Sequence, residues 1–585
     1  MSDTTGGQII AKMLKAEGVE KFFGIIDGTY LQLFAHCVEE GIEMITPRHE
    51  AVAAHMAGAY ARMSGRLGVC IASNGPGVAN MLAGVAVENV EGNRVLLITS
   101  SRRTGISYPD RGGAYQCFDQ VGVIKNMAKW SATCAYPERI PELLKMAFRK
   151  CYQGRPGVVH LDVPENLING PCPEAPILAP ASYRRTEAIA PLPSQVEQAA
   201  ELLSAARLPM IHAGSGIIHA QAFDELRQVA ELLHAPVTTS WAGRGVLDER
   251  NPLAWPMVHI DANNALRNSA DVCLCLGSDM GETDWWGKAP YWAKRSEQTF
   301  IQVDIDEERL ARNRANDLAI VGDVKLFLQM LVAALEKRAS AMDMDTRKAN
   351  VQKLAGMKAE DRKTLDEMLA LPGDPMISCQ VPKICREVFD DDAVVVFDGG
   401  NTAVWGNFYT SLPTPNCQLG THHMGHLGAG VGQALGAAVA RPGKQVYCLI
   451  GDGAMGFNMQ EVETAVRHGL KVIFLVFVDK AWGMVKINQM FALEPVKDMF
   501  KTALGPDKTG TINTDLGDIA WDRLARSMGA FGAHASSAEE LRVALDEARE
   551  ADTCAVIHCL VNAEAHMMAP GLMHFKAMHQ EPQGE

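Results

Sequence analysis

The feature that most constrains the fold is a series of short apolar segments, separated by helix-forming segments, that recurs three times along the chain. Such apolar runs are typical of strands buried on both faces of a parallel sheet. The runs are VCIAS (69–73), VLLITS (95–100) and VVHLDV (158–163); PMIHAG (209–214), DVCLCLG (271–277) and FIQVDID (300–306); AVVVFDGG (393–400), QVYCLIGDG (445–453), VIFLVFVD (472–479) and CAVIHCLV (554–561). Strands that alternate with helices predict an α/β fold built on doubly wound parallel sheets.

Two connectors divide these series. Residues 165–193 are rich in proline and lack periodicity, as interdomain connectors often do, and residues 337–371 are charged and helix-favouring. A chain of 585 residues also has room for three or four domains at about 150 residues each. We therefore predict three α/β domains, over residues 1–170, 190–340 and 372–585.

Charge and cysteine usage exclude several classes of protein. Asp and Glu number 69 against 55 Lys and Arg, and the net charge of −14 disfavours binding to nucleic acid or to an anionic membrane surface. The N-terminus MSDTTGGQ lacks the features of a signal peptide, and no apolar run has the length of a membrane span, so we expect a cytoplasmic protein. The fourteen cysteines form no C-x-x-C pair, the closest two being Cys273 and Cys275, which predicts buried thiols.

The most specific chemical motif lies in the third domain. A predicted strand ends in Gly451-Asp452-Gly453, and the next ends in Asp479, 27 positions later (479 − 452 = 27). Ligands of open parallel sheets bind at this edge, where the glycines allow backbone amides to approach a diphosphate and two carboxylates suit Mg²⁺. A tight turn explains an isolated GDG equally well. The ordered series of strand, GDG, helix, strand and acidic residue predicts a diphosphate and metal site.

The segment GDGAMGFNMQEVETAVRHGLKVIFLVFVDKAWG (451–483) resembles the diphosphate-binding motif of thiamine diphosphate (ThDP) enzymes, in particular the acetolactate-synthase-like group. That motif usually closes with two asparagines, where this chain has Val478 and Asp479. The resemblance implies Mg²⁺ bound by Asp452, Asp479 and the carbonyl of Ala481. The other cofactor-binding residues that it implies here are Gly451, Gly453, Ala454 and Trp482.

The first domain contains a second match. ITPRHEAVAAHMAGAYAR (45–62) resembles the family segment whose glutamate activates the cofactor, which implies that Glu50 hydrogen-bonds the aminopyrimidine ring and promotes loss of the C2 proton. Stabilisation of a helix N-terminus is the alternative explanation for this glutamate. SNGPGVANMLAGVAVE (73–88) resembles the family's next block. YQCFDQVGVIKNMAKWS (115–131) is similar to its FQE-type segment, which implies that Gln116 contacts the substrate or an intermediate.

A glycine- and histidine-rich segment precedes the GDG strand. THHMGHLGAGVGQALGAAVA (421–440) resembles the family segment in which a bulky residue, here Leu427, bends the cofactor and a carbonyl, here that of Gly425, faces the 4′-amino group. A histidine near the thiazolium can transfer protons close to neutral pH, and we select His423 as the catalytic candidate. We expect one or two of His422, His423 and His426 to be structural.

The central domain departs from the family. Acetolactate synthases bind FAD in this domain. Four segments of the chain resemble corresponding segments of theirs: GSG (214–216), WAGRG (241–245), VDID (303–306) and IVGDV (320–324). The family's arginine-containing segment, however, reads GSDMGETDWWGKAPYW (277–292), with acidic residues and tryptophans in place of a phosphate-binding arginine. FAD, another nucleotide such as ADP or the adenosine part of CoA, and no ligand are the alternatives.

The resemblance implies a ThDP- and Mg²⁺-dependent carboligase or lyase with a 2-oxo acid donor, an enamine intermediate and a carbonyl acceptor. It also implies a homodimer or homotetramer with active sites between subunits. Trp482-Gly483 is more similar to benzaldehyde lyase, 2-hydroxyacyl-CoA lyase and sulfoacetaldehyde acetyltransferase, and Asn488 stands where the synthase has its acceptor-selecting tryptophan. Cleavage of a 2-hydroxyacyl-CoA and a noncatalytic regulatory subunit are the alternatives. The Met- and His-rich tail (563–585) is either a lid or an ordered end.

Overall fold

The computed structural model describes residues 4–106, 111–492, 511–578, 580–582 and 584. Three six-stranded sheets account for the eighteen strands of these residues, and every pairing within the sheets is parallel. Helices connect the strands, which confirms the predicted α/β class.

The first sheet has the order β2-β1-β3-β4-β6-β5. Its strands are β1 (Lys21–Gly24), β2 (Glu43–Ile45), β3 (Gly68–Ala72), β4 (Val95–Ser101), β5 (Trp130–Thr133) and β6 (Val158–Pro164). The accompanying helices are Gly6–Ala16, Leu31–Glu39, Glu50–Ser64, Pro76–Glu91, Gln120–Lys125, Ile140–Tyr152 and Glu165–Ile168.

The second sheet has the order β12-β11-β10-β7-β8-β9. Its strands are β7 (Pro209–Ala213), β8 (Val237–Thr239), β9 (Ala254–Trp255), β10 (Val272–Leu276), β11 (Thr299–Asp304) and β12 (Leu318–Val321). The accompanying helices are Pro193–Ala205, Gly216–Ala220, Phe223–Leu233, Ile260–Ser269 and Val324–Glu336.

The third sheet has the order β14-β13-β15-β16-β18-β17. Its strands are β13 (Val394–Asp398), β14 (Gln418–Gly420), β15 (Val446–Gly451), β16 (Val472–Val478), β17 (Phe531–Ala535) and β18 (Ala555–Leu560). The accompanying helices are Gln380–Val388, Gly400–Tyr409, Ala429–Ala440, Asp452–Asn458, Glu461–Arg467, Trp521–Ser527 and Ala538–Glu550, followed by Ala563–Met567 and Leu572–Met578 in the tail.

Two alanine- and glycine-rich helices, Glu50–Ser64 and Ala429–Ala440, join the first domain to the third. Small residues allow their backbones to approach closely, since a Cβ atom on Gly432 would lie 2.8 Å from the Cβ of His55. Apolar residues of both helices belong to one continuous buried cluster. The backbone N–H of Arg48 also donates to Glu461 of the third domain. The contact therefore fixes how the two domains are oriented within one chain.

The second connector is a single helix, Met344–Leu369. Its fully buried Arg347 donates to the carbonyl oxygens of Leu203 (2.7 Å), Ser204 (2.9 Å), Ala206 (3.1 Å) and Leu233 (3.0 Å). These carbonyls lie at the ends of two central-domain helices, where intrahelical partners are missing. The arginine thus anchors the connector to the central domain.

All fourteen cysteines are free thiols, and thirteen of them are buried, Cys117 being half-buried. The expectation of buried thiols therefore holds for all but Cys117. None of the helices in the described part of the chain is long and apolar enough to cross a membrane.

Candidate active site

Three strand ends of the third sheet converge at one point. β13, β15 and β16 are neighbours, and beyond their carboxyl ends lie Gly399–Asn401, Gly451–Gly453 and Asp479–Gly483. The sheet order reverses between β13 and β15, because β14 lies on one side of β13 and β15 on the other. Such a switch point leaves a crevice at the strand ends, which is where open α/β sheets bind ligands.

Asp452 and Asp479 form the acidic centre of this crevice. One oxygen of Asp452 accepts the backbone N–H of Gly453 (2.7 Å), and the other accepts that of Lys480 (2.8 Å). Burial raises the pKa of both carboxyl groups, and the neighbouring Asp452 raises the pKa of Asp479 further. Two adjacent buried carboxylates repel each other, so without a cation the pair tends to hold a proton on Asp479.

Unsatisfied polar atoms face the same space. Oδ2 of Asp479 and both side-chain polar atoms of Asn401 are buried and have no hydrogen-bond partner among the described residues. A Cβ atom on Gly483 would lie 2.7 Å from Nδ2 of Asn401 and 3.0 Å from Oδ2 of Asp479. Buried polar atoms without partners are costly, so these atoms fit a ligand that satisfies them. Carboxylate and amide oxygens suit a hard cation, and the amide N–H suits a phosphate oxygen.

Asn401 was not anticipated from the sequence. It follows Gly399, which has φ of +96°, and Gly400, the first residue of the helix Gly400–Tyr409. The signal was present, since the run AVVVFDGG ends at the same sheet edge as the GDG strand. Two glycines after a buried strand allow a sharp turn that brings a helix N-terminus to the ligand edge.

A cavity of about 240 Å³ adjoins the end of β13 and contains Gly425 and Leu427 in its lining. Gly425 has φ of +59°, a conformation that glycine adopts without strain. His422 also lines the cavity, and its Nε2 is 3.0 Å from Nε2 of Gln418. Burial, with Arg62 nearby, lowers the pKa of His422 well below its usual value, so its ring is neutral. Trp241 and Thr283 of the central domain and Met578 of the tail also line the cavity.

The three histidines of segment 421–426 have different surroundings. His423 is exposed and lines a separate cavity of about 540 Å³ in the central domain, while its backbone N–H donates to Glu91 (2.8 Å). The ring of His426 lies 5.7 Å from that of His55, and burial lowers its pKa. Of the three, His422 lines the same cavity as Leu427, and His423, the candidate chosen from the sequence, lines the other cavity.

Glu50 and Gln116 lie together on the first domain. Glu50 begins the helix Glu50–Ser64, is half-buried, and accepts a hydrogen bond from Nδ2 of Asn80 (3.0 Å). Gln116 has φ of +54°, an uncommon conformation for a non-glycine residue, and its carbonyl accepts from Asn74 (2.9 Å). The described lining of the 240 Å³ cavity does not include Glu50. Within one chain, Glu50 therefore does not share the cavity that Gly425 and Leu427 line.

Trp482 packs closely against the GDG turn, because a Cβ atom on Gly453 would lie 2.6 Å from its ring. Ala454 is buried in the helix that begins at Asp452, and Ala481 is 8% exposed beside the crevice. Asn488 is exposed. These residues place aromatic surface and backbone groups around the two carboxylates.

The tail is ordered over most of its length. His566 is buried, and its Nδ1 lies 2.7 Å from the Ser378 hydroxyl, which makes it a structural residue. The helix Leu572–Met578 brings Met578 to the 240 Å³ cavity, and the Lys288–Glu581 ion pair (2.7 Å) ties the tail to the central domain. The tail therefore covers part of the cavity as a wall. His579, Gln583 and Glu585 lie outside the described residues.

The 540 Å³ cavity of the central domain lies at the ends of β7, β10 and β11. Asp279, Asp304 and Asp323 line it, and burial raises the pKa of Asp304 to about 6. Of its arginines, Arg155 donates to the carbonyls of Asn89 and Val90, and Arg184 pairs with Glu17 (2.7 Å). The cavity lining thus combines acidic residues at the strand ends with four arginines, Arg94, Arg155, Arg184 and Arg185, from the first domain and the first connector.

Comparison with known proteins defines the class. Residues 4–123 match the model described as thiamine pyrophosphate enzyme, N-terminal TPP binding domain. Residues 196–331 match the central domain of thiamine pyrophosphate enzymes, and residues 398–559 match their C-terminal TPP binding domain. The chain therefore belongs to the ThDP-dependent enzymes.

Its relatives place it in the acetolactate-synthase-like group. It is 30% identical over 494 residues to a probable acetolactate synthase large subunit of Methanocaldococcus jannaschii, covering 82% of this chain and 81% of the relative. It is 28% identical over 561 residues to the acetolactate synthase isozyme 3 large subunit of Escherichia coli, covering 94% and 93%. It is also 28% identical over 587 residues to the sulfoacetaldehyde acetyltransferase of Alcaligenes xylosoxydans, covering 94% and 92%. The protein is thus a ThDP enzyme that acts on carbon–carbon bonds.

Proposed function

We propose that this chain is a ThDP- and Mg²⁺-dependent carboligase or lyase that makes or breaks the carbon–carbon bond next to a carbonyl group. The observation that carries the proposal is the crevice at the ends of β13, β15 and β16. There, two buried carboxyl groups with raised pKa values and the unsatisfied side chain of Asn401 face one space. A divalent cation and a diphosphate would satisfy both features.

Each part of the crevice has a role in this proposal. Asp452, Asp479 and the carbonyl of Ala481 hold Mg²⁺, and Asn401 donates to a diphosphate oxygen. The backbone of Gly451-Asp452-Gly453 approaches the same diphosphate, while Leu427 and Gly425 contact the remainder of the cofactor. When bound, ThDP supplies a nucleophilic carbon that adds to carbonyl groups. The protein must therefore mainly orient the cofactor, exclude water and move protons.

Proton movement is assigned to Glu50. Its carboxylate holds a proton against the aminopyrimidine ring nitrogen, and Asn80 fixes the orientation of that carboxylate. Gln116 is proposed as the hydrogen-bond partner of the substrate. Its backbone has a strained positive φ, which is consistent with a side chain that must be held in one position. His422 lines the Leu427 cavity and His423 does not, so His422 rather than His423 is proposed to hydrogen-bond a substrate oxygen there.

The active site is proposed to form between two subunits. Glu50 does not line the 240 Å³ cavity of its own chain, and exposed apolar residues occur next to Gln116 and in the helix that follows the GDG turn, namely Tyr115 (76% exposed) and Phe457 (52%). Exposed apolar patches beside functional groups mark interaction surfaces. A symmetric homodimer, or a tetramer made of two such dimers, would bring Glu50 of one chain to the crevice of the other twice.

The main reaction assigned is that of a carboligase with a 2-oxo acid donor. The alternative is cleavage of a 2-hydroxyacyl-CoA or an acyloin, which the Trp482-Gly483 pair favours. Neither needs a redox cofactor. The lining of the 540 Å³ cavity combines acidic strand ends with arginines of the first domain and the first connector, and the proposed reaction uses no nucleotide bound there.

Titration of the cofactor-free protein with ThDP in the presence of Mg²⁺ tests the proposal. We expect saturable binding that EDTA abolishes, followed by CO₂ release from pyruvate or another 2-oxo acid. Aldehyde release from a 2-hydroxyacyl-CoA without CO₂ would select the cleavage reaction instead. Absence of ThDP binding would contradict both.

A further inference from the structure

Part of the lining of the 240 Å³ cavity comes from the central domain and the tail. Trp241 and Thr283 belong to the central domain and Met578 to the tail helix, and all three line the same cavity as Leu427. None of the three belongs to the motifs to which ThDP binding is assigned. They are therefore available to contact the substrate rather than the cofactor.

Positive charge is absent from the described lining of this cavity. Its titratable members are Asp398 and His422. Asp398 accepts the backbone N–H groups of Gly399 (2.6 Å) and Gly430 (2.7 Å), and burial raises its pKa to about 6. His422 is neutral. A carboxylate bound here would have no cationic partner among the described lining residues, which weakens its binding relative to that of an uncharged group.

The backbone around Thr283 is held in a strained conformation. Met280, Trp285 and Trp286 have φ values of +50°, +56° and +56°. Stacking of Trp285 on Tyr291, with ring centroids 3.4 Å apart, and a hydrogen bond from Nε1 of Trp292 to the carbonyl of Asp284 (2.8 Å) maintain it. Strain of this kind persists only where surrounding packing imposes it, and it clusters at functional sites. The segment therefore holds Thr283 at a fixed position in the wall.

Thr283 is half-buried and lines both this cavity and the 540 Å³ cavity. A substitution at this position therefore changes a residue that the two cavities share.

We propose that this cavity selects an uncharged, apolar carbonyl compound as the acceptor, with Thr283 setting the charge preference and Trp241 and Met578 limiting the size. The inference rests on the proposed function, because it names the substrate class of the same site. In the reaction, the C1–C2 bond of the 2-oxo acid donor breaks with release of CO₂. The donor C2 then bonds to the carbonyl carbon of the acceptor, whose oxygen takes up a proton, and a 2-hydroxy ketone is formed.

The test uses the holoenzyme with pyruvate as donor and two related acceptors, anionic glyoxylate and its uncharged methyl ester. CO₂ release reports the proposed function, and the ratio of kcat/KM for the two acceptors reports the inference. We expect the ester to be preferred by at least about tenfold, the factor that one unmatched charged hydrogen bond typically costs. CO₂ release with equal or better use of glyoxylate would overturn the inference alone, whereas no CO₂ release from any 2-oxo acid would reject the proposed donor chemistry.

Variants of Thr283 and Trp241 test which residue sets the charge preference and which sets the size preference. Thr283→Arg should shift the preference toward glyoxylate by about tenfold or more, while Thr283→Gln, which has a neutral side chain, should retain the preference for the ester. Trp241→Ala should increase the use of benzaldehyde relative to acetaldehyde and gives an independent readout if the arginine variant does not fold. An unchanged acceptor ratio in folded Thr283→Arg, or an unchanged size preference in Trp241→Ala, would contradict the assignment of that residue.

Discussion

Glu50 is a residue whose role depends on one proton. It lies on an exposed face, with Asn80 as its hydrogen-bond partner, rather than in a buried ion pair. Such a position costs the fold little and leaves the carboxyl group available to a ligand. Its functional importance is therefore separable from stability.

Glu50→Gln should lower kcat by at least about a hundredfold, the contribution typical of a general acid–base group, because glutamine cannot hold the transferable proton. Binding of ThDP, measured by titration calorimetry, should change far less. The exposed Glu39→Gln in the same domain is the matched control and should behave as wild type. Full activity of Glu50→Gln would reject the proposed proton transfer.

Asp479 is expected to lower the stability of the metal-free protein, and this effect can be measured. The pKa of the Asp479 carboxyl group is higher in the folded protein than in the unfolded chain. As pH rises from the unfolded-state pKa through the folded-state pKa, the unfolded chain holds fewer protons than the folded protein, so the free energy of unfolding falls. The folded protein without a cation must keep the proton or tolerate two adjacent charges. Mg²⁺ relieves this repulsion.

Asp479→Asn removes one of the two charges. We expect the metal-free variant to melt about 2–4 °C above the metal-free wild type near pH 8, with little difference near pH 4, and to gain less stability from Mg²⁺. Differential scanning calorimetry at both pH values, with and without Mg²⁺, measures this. A lower melting temperature of the metal-free variant at pH 8 would show that the Asp452–Asp479 repulsion is absent.

At the level of single residues, the sequence anticipated Asp452 and Asp479 because a strand end, a glycine pair and an acidic residue recur in a fixed order. It missed Asn401, since the chemistry of an amide becomes visible only when its buried atoms prove to lack partners. The sequence-based choice of His423 as the catalytic histidine stays a prediction, while His422 is the histidine that shares a cavity lining with Leu427. Three histidines in a turn-rich segment have no periodicity from which their directions could be derived.

Among elements, central strands were predicted well and edge strands were not. The run VIFLVFVD (472–479) corresponds to β16 at Val472–Val478, in which every residue is buried. None of the ten predicted runs covers the six edge strands, β2, β5, β9, β12, β14 and β17, and the short interior strands β1 and β8 are missing as well. Edge strands are short and bury fewer side chains, as the partly exposed Glu43–Ile45 shows, so they lack a continuous apolar signal.

The connector helix Met344–Leu369 is expected to depend on Arg347 for its attachment to the central domain. Arg347→Leu would leave four buried carbonyl groups without their donor, and we expect a loss of about 2–4 kcal/mol in unfolding free energy of the central domain. Lys348→Leu, on the exposed side of the same helix, is the matched control. Calorimetric unfolding compares the two, and equal midpoints would mean that Arg347 does not anchor the helix.

The whole molecule combines three similar domains, of which two carry the complementary parts of one site. The first and third domains are joined in one chain by the helices Glu50–Ser64 and Ala429–Ala440, yet Glu50 is not among the described residues that line the Leu427 cavity. The overall charge of −14 does not attract an anionic cofactor. Binding therefore depends on the local cation and backbone groups of the crevice, and catalysis on the approach of a second chain.

Subunit complementation tests this central claim most directly. Chains carrying Glu50→Gln and chains carrying Asp452→Ala are produced with different affinity tags, and the mixed dimer is purified through both. Each parent should be nearly inactive, but the mixed dimer contains one site with neither substitution and should recover about half of the wild-type activity per dimer, because a symmetric dimer has two equivalent sites. A verified mixed dimer that remains as inactive as its parents would contradict an active site built from Glu50 of one subunit and the Asp452 crevice of the other.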